Sequence, residues 1–459
     1  MNKASFFSHN NTMMKNKYLS KSIVITMGVV IAKAISLLYV YPFAKMISKE
    51  GLALYNYAYV PYTIFLDLST LGFPLAIAKL TAKYQKTDQE YLKKITTKIL
   101  VVSSILAFIS FLTLYLIAPL YAKTILGGSS LTNTIENVTV AIRIIAISLI
   151  IVPFLSIYRG IYQGLEEASV YAKSQVFEQI IRVSIILIST YLIVKKYLLP
   201  DLYAIYLAIL ACSISAFFAL FYLYLKRKKI YQYIEKPILV SNWRSVEITS
   251  VFKYAIPFLI FGVSSALYQL IDSLYVNNIL QQNGIINSEE IYGIYSFEII
   301  KLLHIPLAFA QGFSIMILPN VTKENTNINK AKNVSKGLSI IFLITLSFAF
   351  LFCLFAKTIY PILYTKNDLG ISILKASAFL VPIFALYNFT INVLLGLDQI
   401  KTAYISIILG IIIKIITIKP LLTEFNINGA IISTFIGFFI SVVINFINMM
   451  RILNIKRNI

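Results

Sequence analysis

Four charged side chains lie inside strongly apolar sequence between residues 141 and 194: Arg143, Arg159, Glu178 and Arg182. A charge at the centre of a bilayer costs about 2.5–3.5 kcal/mol on insertion scales, so it has a partner, a wet cavity or a task. A guanidinium in that setting favours planar, bidentate pairing with a carboxylate or a phosphate. The turn between the two apolar runs, RGIYQGLEE, adds Gln163, Glu166 and Glu167. The run after it carries Gln175, Glu178, Gln179 and Arg182, and spacings of three and four put these on one helical face. The expected element is a helix hairpin with a polar stripe turned away from lipid. Two chemistries stay open for the stripe. It is an anion-binding surface built on Arg159 and Arg182, or Arg182 simply neutralises Glu178 four residues before it.

The rest of the chain must hold that hairpin in a membrane. Of 459 residues, 58% are hydrophobic and 13% charged, with a mean hydropathy of +0.79; soluble domains carry about 25% charge. Apolar runs long enough to span a bilayer, about 20 residues each, recur from Lys21 onward. The expected fold is an all-α integral membrane protein of about twelve helices. Barrel strands would be shorter and would alternate, which runs such as SIILISTYLIV do not. The net charge of +22 falls mostly between the apolar runs. Basic loops there meet anionic lipid heads and fix topology, so nucleic acid is not expected as a partner. Cys212 and Cys353 sit in apolar runs, with no disulfide framework or metal-ligand spacing. No GxxxxGK[ST] occurs. The chain is expected to be no enzyme and to use no metal or cofactor.

In order, residues 1–20 read as an uncleaved cytosolic leader, 21–226 as a six-helix lobe, 227–248 as a basic cytosolic linker, and 249–459 as a second six-helix lobe. Lys33 stands mid-span in the first helix. Asp67 precedes Gly72 and Pro74, a pair that reads as a helix break. Pro200 and Asp201 mark another boundary. In the second half Asp272, Glu298, Lys301 and Lys414 are intramembrane charges, and Glu298 and Lys301, three apart, are placed to pair. The halves echo each other. GLALY…GFPLAIAKLTAK parallels IYGIY…GFSIMILPNVTK, with Tyr55 and Tyr295, Gly72 and Gly312, Phe73 and Phe313, and Lys83 and Lys323 at one offset; VPFLSIY…GLEE parallels VPIFALY…GLDQ. With an even number of helices per half, the lobes are expected to be related by a pseudo-two-fold axis along the membrane normal. Basic clusters at 83–94, 226–229, 323–336 and 451–457 fall on one side of a twelve-span count, which predicts both termini in the cytosol.

The runs RGIYQG and QVFEQIIRV resemble the RGxxQG and QxxEQxxR signatures of the polysaccharide-transport and stage V sporulation protein B families. These belong, with MurJ lipid II flippases and MATE exporters, to one superfamily. AKMISKEGLALYNYAY, LDLSTLGFPLAIAKLTAK and INGAIIST resemble further family motifs. In the first span Lys33 and Tyr39 match the family pattern, while Ser36 and Val40 replace its glycine and arginine. The resemblance implies a MATE/MurJ-like fold in the bacterial cytoplasmic membrane, with a cavity between the lobes. It implies a flippase moving a lipid-linked oligosaccharide or cell-wall precursor, a polyprenyl diphosphate sugar, by alternating access. Its partners would be that anionic lipid, membrane lipids, and cell-wall or polysaccharide synthesis enzymes. The sequence stops after the twelfth span, where sporulation and MurJ-like relatives usually carry about two more; this favours polysaccharide transport over lipid II. The alternatives are a MATE-type cation or multidrug antiporter and a non-transporting cell-wall or spore-cortex assembly protein. Candidate cavity residues are Lys33, Arg143, Arg159, Gln163, Glu178, Gln179, Arg182 and Lys301; Asp67, Asp272 and Glu298 are candidates for ion coupling, with packing and pairing as the other reading.

Overall fold

Runs of Leu, Ile, Phe and Ala with few glycines favour helix, and in a bilayer helix also satisfies every backbone polar group within its own segment. The computed structural model of the chain describes residues 27–28, 31–70, 72–127, 132–226, 249–310 and 326–453, and all regular structure among them is helical. The expected leader 1–20 and linker 227–248 lie outside the described residues, as do Gly312, Phe313 and Lys323 of the expected repeat. The helices are α1 (31–38), α2 (Val40–Met46), α3 (Lys49–Thr70), α4 (Phe73–Tyr84), α5 (Gln89–Leu126), α6 (Ile135–Ala146), α7 (Ser148–Gly164), α8 (Ala168–Thr190), α9 (Asp201–Leu225) and α10 (Thr249–Gln282). There follow α11 (Ser288–Ala310), α12 (Asn327–Leu363), α13 (Asp368–Ser377), α14 (Leu380–Gly396), α15 (Ile400–Phe425) and α16 (Ile427–Ile452). Among the described residues, 10 helical stretches are long and apolar enough to cross a membrane. The chain is a multi-pass, all-α membrane protein.

The helix breaks have local causes. Gly72 takes φ 67, a left-handed conformation cheap only without a Cβ, and separates α3 from α4. Pro200 caps α9 at Asp201, where the lost N–H would have had no partner. In the second half, α13 ends at Ser377 and α14 begins at Leu380. The ring of Pro382 would clash with the carbonyl of Ala378, four residues earlier, in a continuous helix. A break at Ile147 parts α6 from α7. The turns after α7 and α14 are built alike. Glu166 and Asp398 both have positive φ, 59 and 58. Leu165 N–H donates to Ile161 O and Leu397 N–H to Val393 O, each at 2.9 Å.

Contacts divide the chain into two units: residues 1–46, 65–117 and 141–259 form the first, and 47–64, 118–140 and 260–459 the second. The core of the first packs Phe73 and Ile77 of α4, Ile95 and Ile99 of α5, Ile157 and Ile161 of α7 and Leu223 of α9. The second unit holds the first half of α3 by polar contacts. Asn133 donates from its backbone and its Nδ2 to the two oxygens of Glu289, each at 3.1 Å, and its Nδ2 also reaches Glu50 O at 2.9 Å. The rings of Tyr57 and Tyr292 stack at 4.8 Å.

Candidate functional site

The glycines of RGIYQG make α7 thin. A Cβ at Gly160 would stand 2.5 Å from Pro74 O, and one at Gly164 2.5 Å from Ala78 O, so α7 lies directly on α4. That seam fixes Arg159, beside the first glycine. The guanidinium of Arg159 reaches α8. Its Nη1 is 2.8 Å from Glu178 Oε2, its Nε donates to Ser174 Oγ at 3.1 Å, and its Nη2 donates to Ser174 O at 2.9 Å. Arg182, one turn beyond Glu178, donates to the other carboxylate oxygen of Glu178 and from Nε to Ser215 Oγ of α9 at 3.2 Å. All three side chains are largely shielded, with exposures of 13%, 8% and 19% for Arg159, Glu178 and Arg182. Among the described residues, one carboxylate is thus shared by two guanidinium groups.

The cluster opens on a cavity of about 250 Å³ lined by Ala32, Lys33 and Ser36 of α1 with Arg159, Gln175, Glu178 and Gln179. Lys33 brings a third cation to the same site. Gln179 points a buried Oε1 with no hydrogen-bond partner among the described residues. Chemically the wall mixes the cations of Lys33 and Arg159 with the Glu178 carboxylate and the amides of Gln175 and Gln179, and a guanidinium there can engage a planar anion.

The second unit carries a different cluster. Lys414 Nζ lies 2.6 Å from Asp272 Oδ1, donates also to Thr434 Oγ1, and stands 5.5 Å from the ring centre of Tyr268. Tyr295 OH donates to Asp272 Oδ2 at 3.2 Å. Lys414 is fully buried, and the neighbouring cavity is about 60 Å³, walled largely by Tyr268, Phe384, Leu303 and Phe438. Here one cation meets one carboxylate.

The remaining sequence candidates lie apart from both clusters. Arg143 packs over the Tyr115 ring at 4.6 Å. Gln163 stands at the end of α7, where its carbonyl accepts from Glu166 N–H. Asp67 is half-buried in the last turn of α3, with no ion-pair partner among the described residues. The expected Glu298–Lys301 pair gives way to another. Glu298, fully buried, pairs with Lys49 and accepts from Tyr360 OH, while Lys301 lies 5.8 Å over the Phe297 ring. A π-helical segment from Ile294 to Ile299 alters the face relation on which a spacing of three relies. Sequence reasoning missed Ser174, Ser215, Thr434 and Lys49. Only Ser174, one turn before Glu178 on the polar stripe, had a local signal.

The profile of the family described as "Polysaccharide biosynthesis protein" matches residues 18–319. The chain is 30% identical over 458 residues to the lipid II flippase MurJ of Bacillus subtilis (strain 168), covering 95% of this chain and 83% of that protein. Its fold is similar to that of a lipid II flippase MurJ in an inward closed conformation, with a TM-score of 0.70, 15% identity and coverage of 93% and 87% of the two chains. It is also similar to an inward-facing multidrug resistance MATE family transporter of the MOP superfamily, with a TM-score of 0.69, 15% identity and coverage of 95% and 99%.

Proposed function

The chain belongs to the polysaccharide biosynthesis protein family, within the MOP superfamily of membrane flippases and transporters, and from that premise we propose that it flips a lipid-linked diphosphate sugar across the bacterial plasma membrane by alternating access. The observation that supports this reading is the grouping of cations: Arg159 and Arg182 both pair with the one carboxylate of Glu178, and Arg159 and Lys33 line the same cavity. Cations gathered at one cavity wall in apolar surroundings have a use when an anion arrives. A diphosphate offers the planar acceptor pairs that a guanidinium engages bidentately. The likeness to a lipid II flippase supports a polyprenyl diphosphate head as the chemical class, cell-wall precursor or polysaccharide unit alike.

In this reading the residues 21–226 and 249–459 act as two six-helix lobes joined by the basic segment 227–248, with both termini cytosolic. Synthesis enzymes that make the lipid-linked sugar would deliver it from that side. The test is a flipping assay in proteoliposomes containing defined polyprenyl diphosphate sugars, run beside export of a cationic dye. The proposal expects sugar-lipid translocation and no dye movement; dye export with no effect on lipid-linked sugars would overturn it in favour of a MATE-like cation exporter.

A further inference from the structure

The cavity beside Arg159 carries hydrogen-bond acceptors as well as cations, and a phosphate has nothing to offer an acceptor. Gln179 lines the cavity, and its Oε1 is buried with no hydrogen-bond partner among the described residues. Ser36 lines it too. The Ser36 hydroxyl donates to Lys33 O at 2.7 Å, which commits its one proton and leaves the oxygen to accept. Glu178 differs from both, because Arg159 and Arg182 occupy its two oxygens. Gln175 commits Nε2 to Tyr171 OH at 3.1 Å. The wall therefore suits a ligand with two features: an anion for Lys33 and Arg159, and a hydrogen-bond donor for Gln179 and Ser36. A buried acceptor without a donor is costly, so the second feature matters as much as the first.

Spacing sets how close the two features must be. Ser36 follows Lys33 by three residues on α1, and Gln179 adjoins Glu178, the carboxylate that pairs with Arg159, on α8. Side chains three apart on a helix stand about 5–6 Å from each other. The donor thus belongs to atoms next to the anion, not to a distant part of the ligand. In a polyprenyl diphosphate sugar, the atoms on the lipid side of the diphosphate are hydrocarbon. Each phosphoryl group, esterified on one side and bridged on the other, has lost its single acidic proton at neutral pH. The sugar side does supply a donor: the carbon next to the anomeric one carries a hydroxyl or an acetamido N–H.

We infer that Gln179 and Ser36 are specificity residues: they accept from the 2-hydroxyl or the 2-acetamido N–H of the first sugar while Lys33 and Arg159 hold the adjoining phosphate. The inference rests on the proposed cargo and adds which end of the diphosphate lies against these two acceptors and which substituent that end must carry.

The experiment compares flipping of three polyprenyl diphosphate monosaccharides in proteoliposomes: the 2-acetamido-2-deoxyglucose, the glucose and the 2-deoxyglucose derivatives. The wild type should flip one or both donor-bearing cargoes at least about tenfold faster than the 2-deoxy cargo, which leaves Gln179 Oε1 unpaired. The faster of the two identifies the donor. Gln179→Met keeps the length of the side chain and removes the acceptor, so this ratio should fall several-fold toward one. Ser36→Ala should lower it by a smaller factor. The ratio is read on a single preparation, and a folding or packing fault slows all three cargoes alike without moving it. Equal rates for all three cargoes in the wild type overturn the inference and leave the proposed function standing. A Gln179→Met variant that keeps the wild-type ratio does the same. If the wild type flips none of the three, the proposed function itself fails and this inference falls with it.

Discussion

Sixteen residues after two turns of the same conformation, at Glu166 and Asp398, the chain places a cation in an apolar helix: Arg182 in one unit and Lys414 in the other. Eight residues after the same turns stand two buried serines, Ser174 and Ser406. From this common frame the clusters diverge. Lys414 has one carboxylate to itself, a threonine, an aromatic face and no exposure. Arg182 shares its carboxylate with Arg159, and their site opens on a cavity that also holds Lys33. The presence of an intramembrane charge does not mark a binding site. What sets the open cluster apart is one carboxylate serving two guanidinium groups, together with space beside it.

The comparison predicts its largest effect in the closed cluster. Lys414→Met leaves Asp272 charged and buried without its cation, which costs about 3–5 kcal/mol. Thermal unfolding in detergent should show a large loss, and the double change Asp272→Asn with Lys414→Met should recover most of it. Stability unchanged by Lys414→Met would break the contrast at its structural end.

Next in size is the functional loss in the open cluster. Arg159→Gln should lower sugar-lipid flipping at least about tenfold, the equivalent of about 1.4 kcal/mol. Its stability cost should be smaller than that of Lys414→Met, about 1.5–3 kcal/mol from lost charged hydrogen bonds, because Glu178 keeps Arg182. Proteoliposome flipping and unfolding on the same preparations check both halves. Arg159→Lys sharpens the point: it keeps the charge but cannot engage Ser174 and Glu178 as a planar fork. Flipping should fall several-fold with near-normal unfolding. The smallest effects belong to charges and amides outside both clusters. Arg143→Gln and Gln163→Ala should change stability by no more than about 0.5 kcal/mol and leave flipping near wild type. A tenfold flipping loss from either would extend the site beyond the cavity.

Much of the open cluster was legible because it is local. Glu178, Gln179 and Arg182 declare one face by spacing alone, and Arg159 sits just across a short turn. The break at Gly72 and the start of α9 at Asp201 were equally readable, since glycine and proline act through their own backbone. The closed cluster was not readable. Asp272 and Lys414 are 142 residues apart in sequence, and helical periodicity carries no information at that range. The same limit explains Glu298, where a spacing of three suggested Lys301 and packing brought Lys49 instead. The single polar stripe also hid its most useful property. Nothing in QVFEQIIRV says that Glu178 must serve two arginines, because Arg159 joins it only once α7 and α8 are folded together.

The central claim is that Arg182 is more than the counter-ion of Glu178, and a double-mutant comparison tests it most directly. Flipping of a fluorescent polyprenyl diphosphate sugar is measured for wild type, Arg182→Gln, Glu178→Gln and the double variant, at matched amounts of folded protein in proteoliposomes. If Arg182 serves the cargo, the double variant flips no better than Arg182→Gln alone, because removing the carboxylate does not replace the lost guanidinium. Recovery of the double variant to near wild-type flipping would contradict the account and reduce the pair to mutual neutralisation.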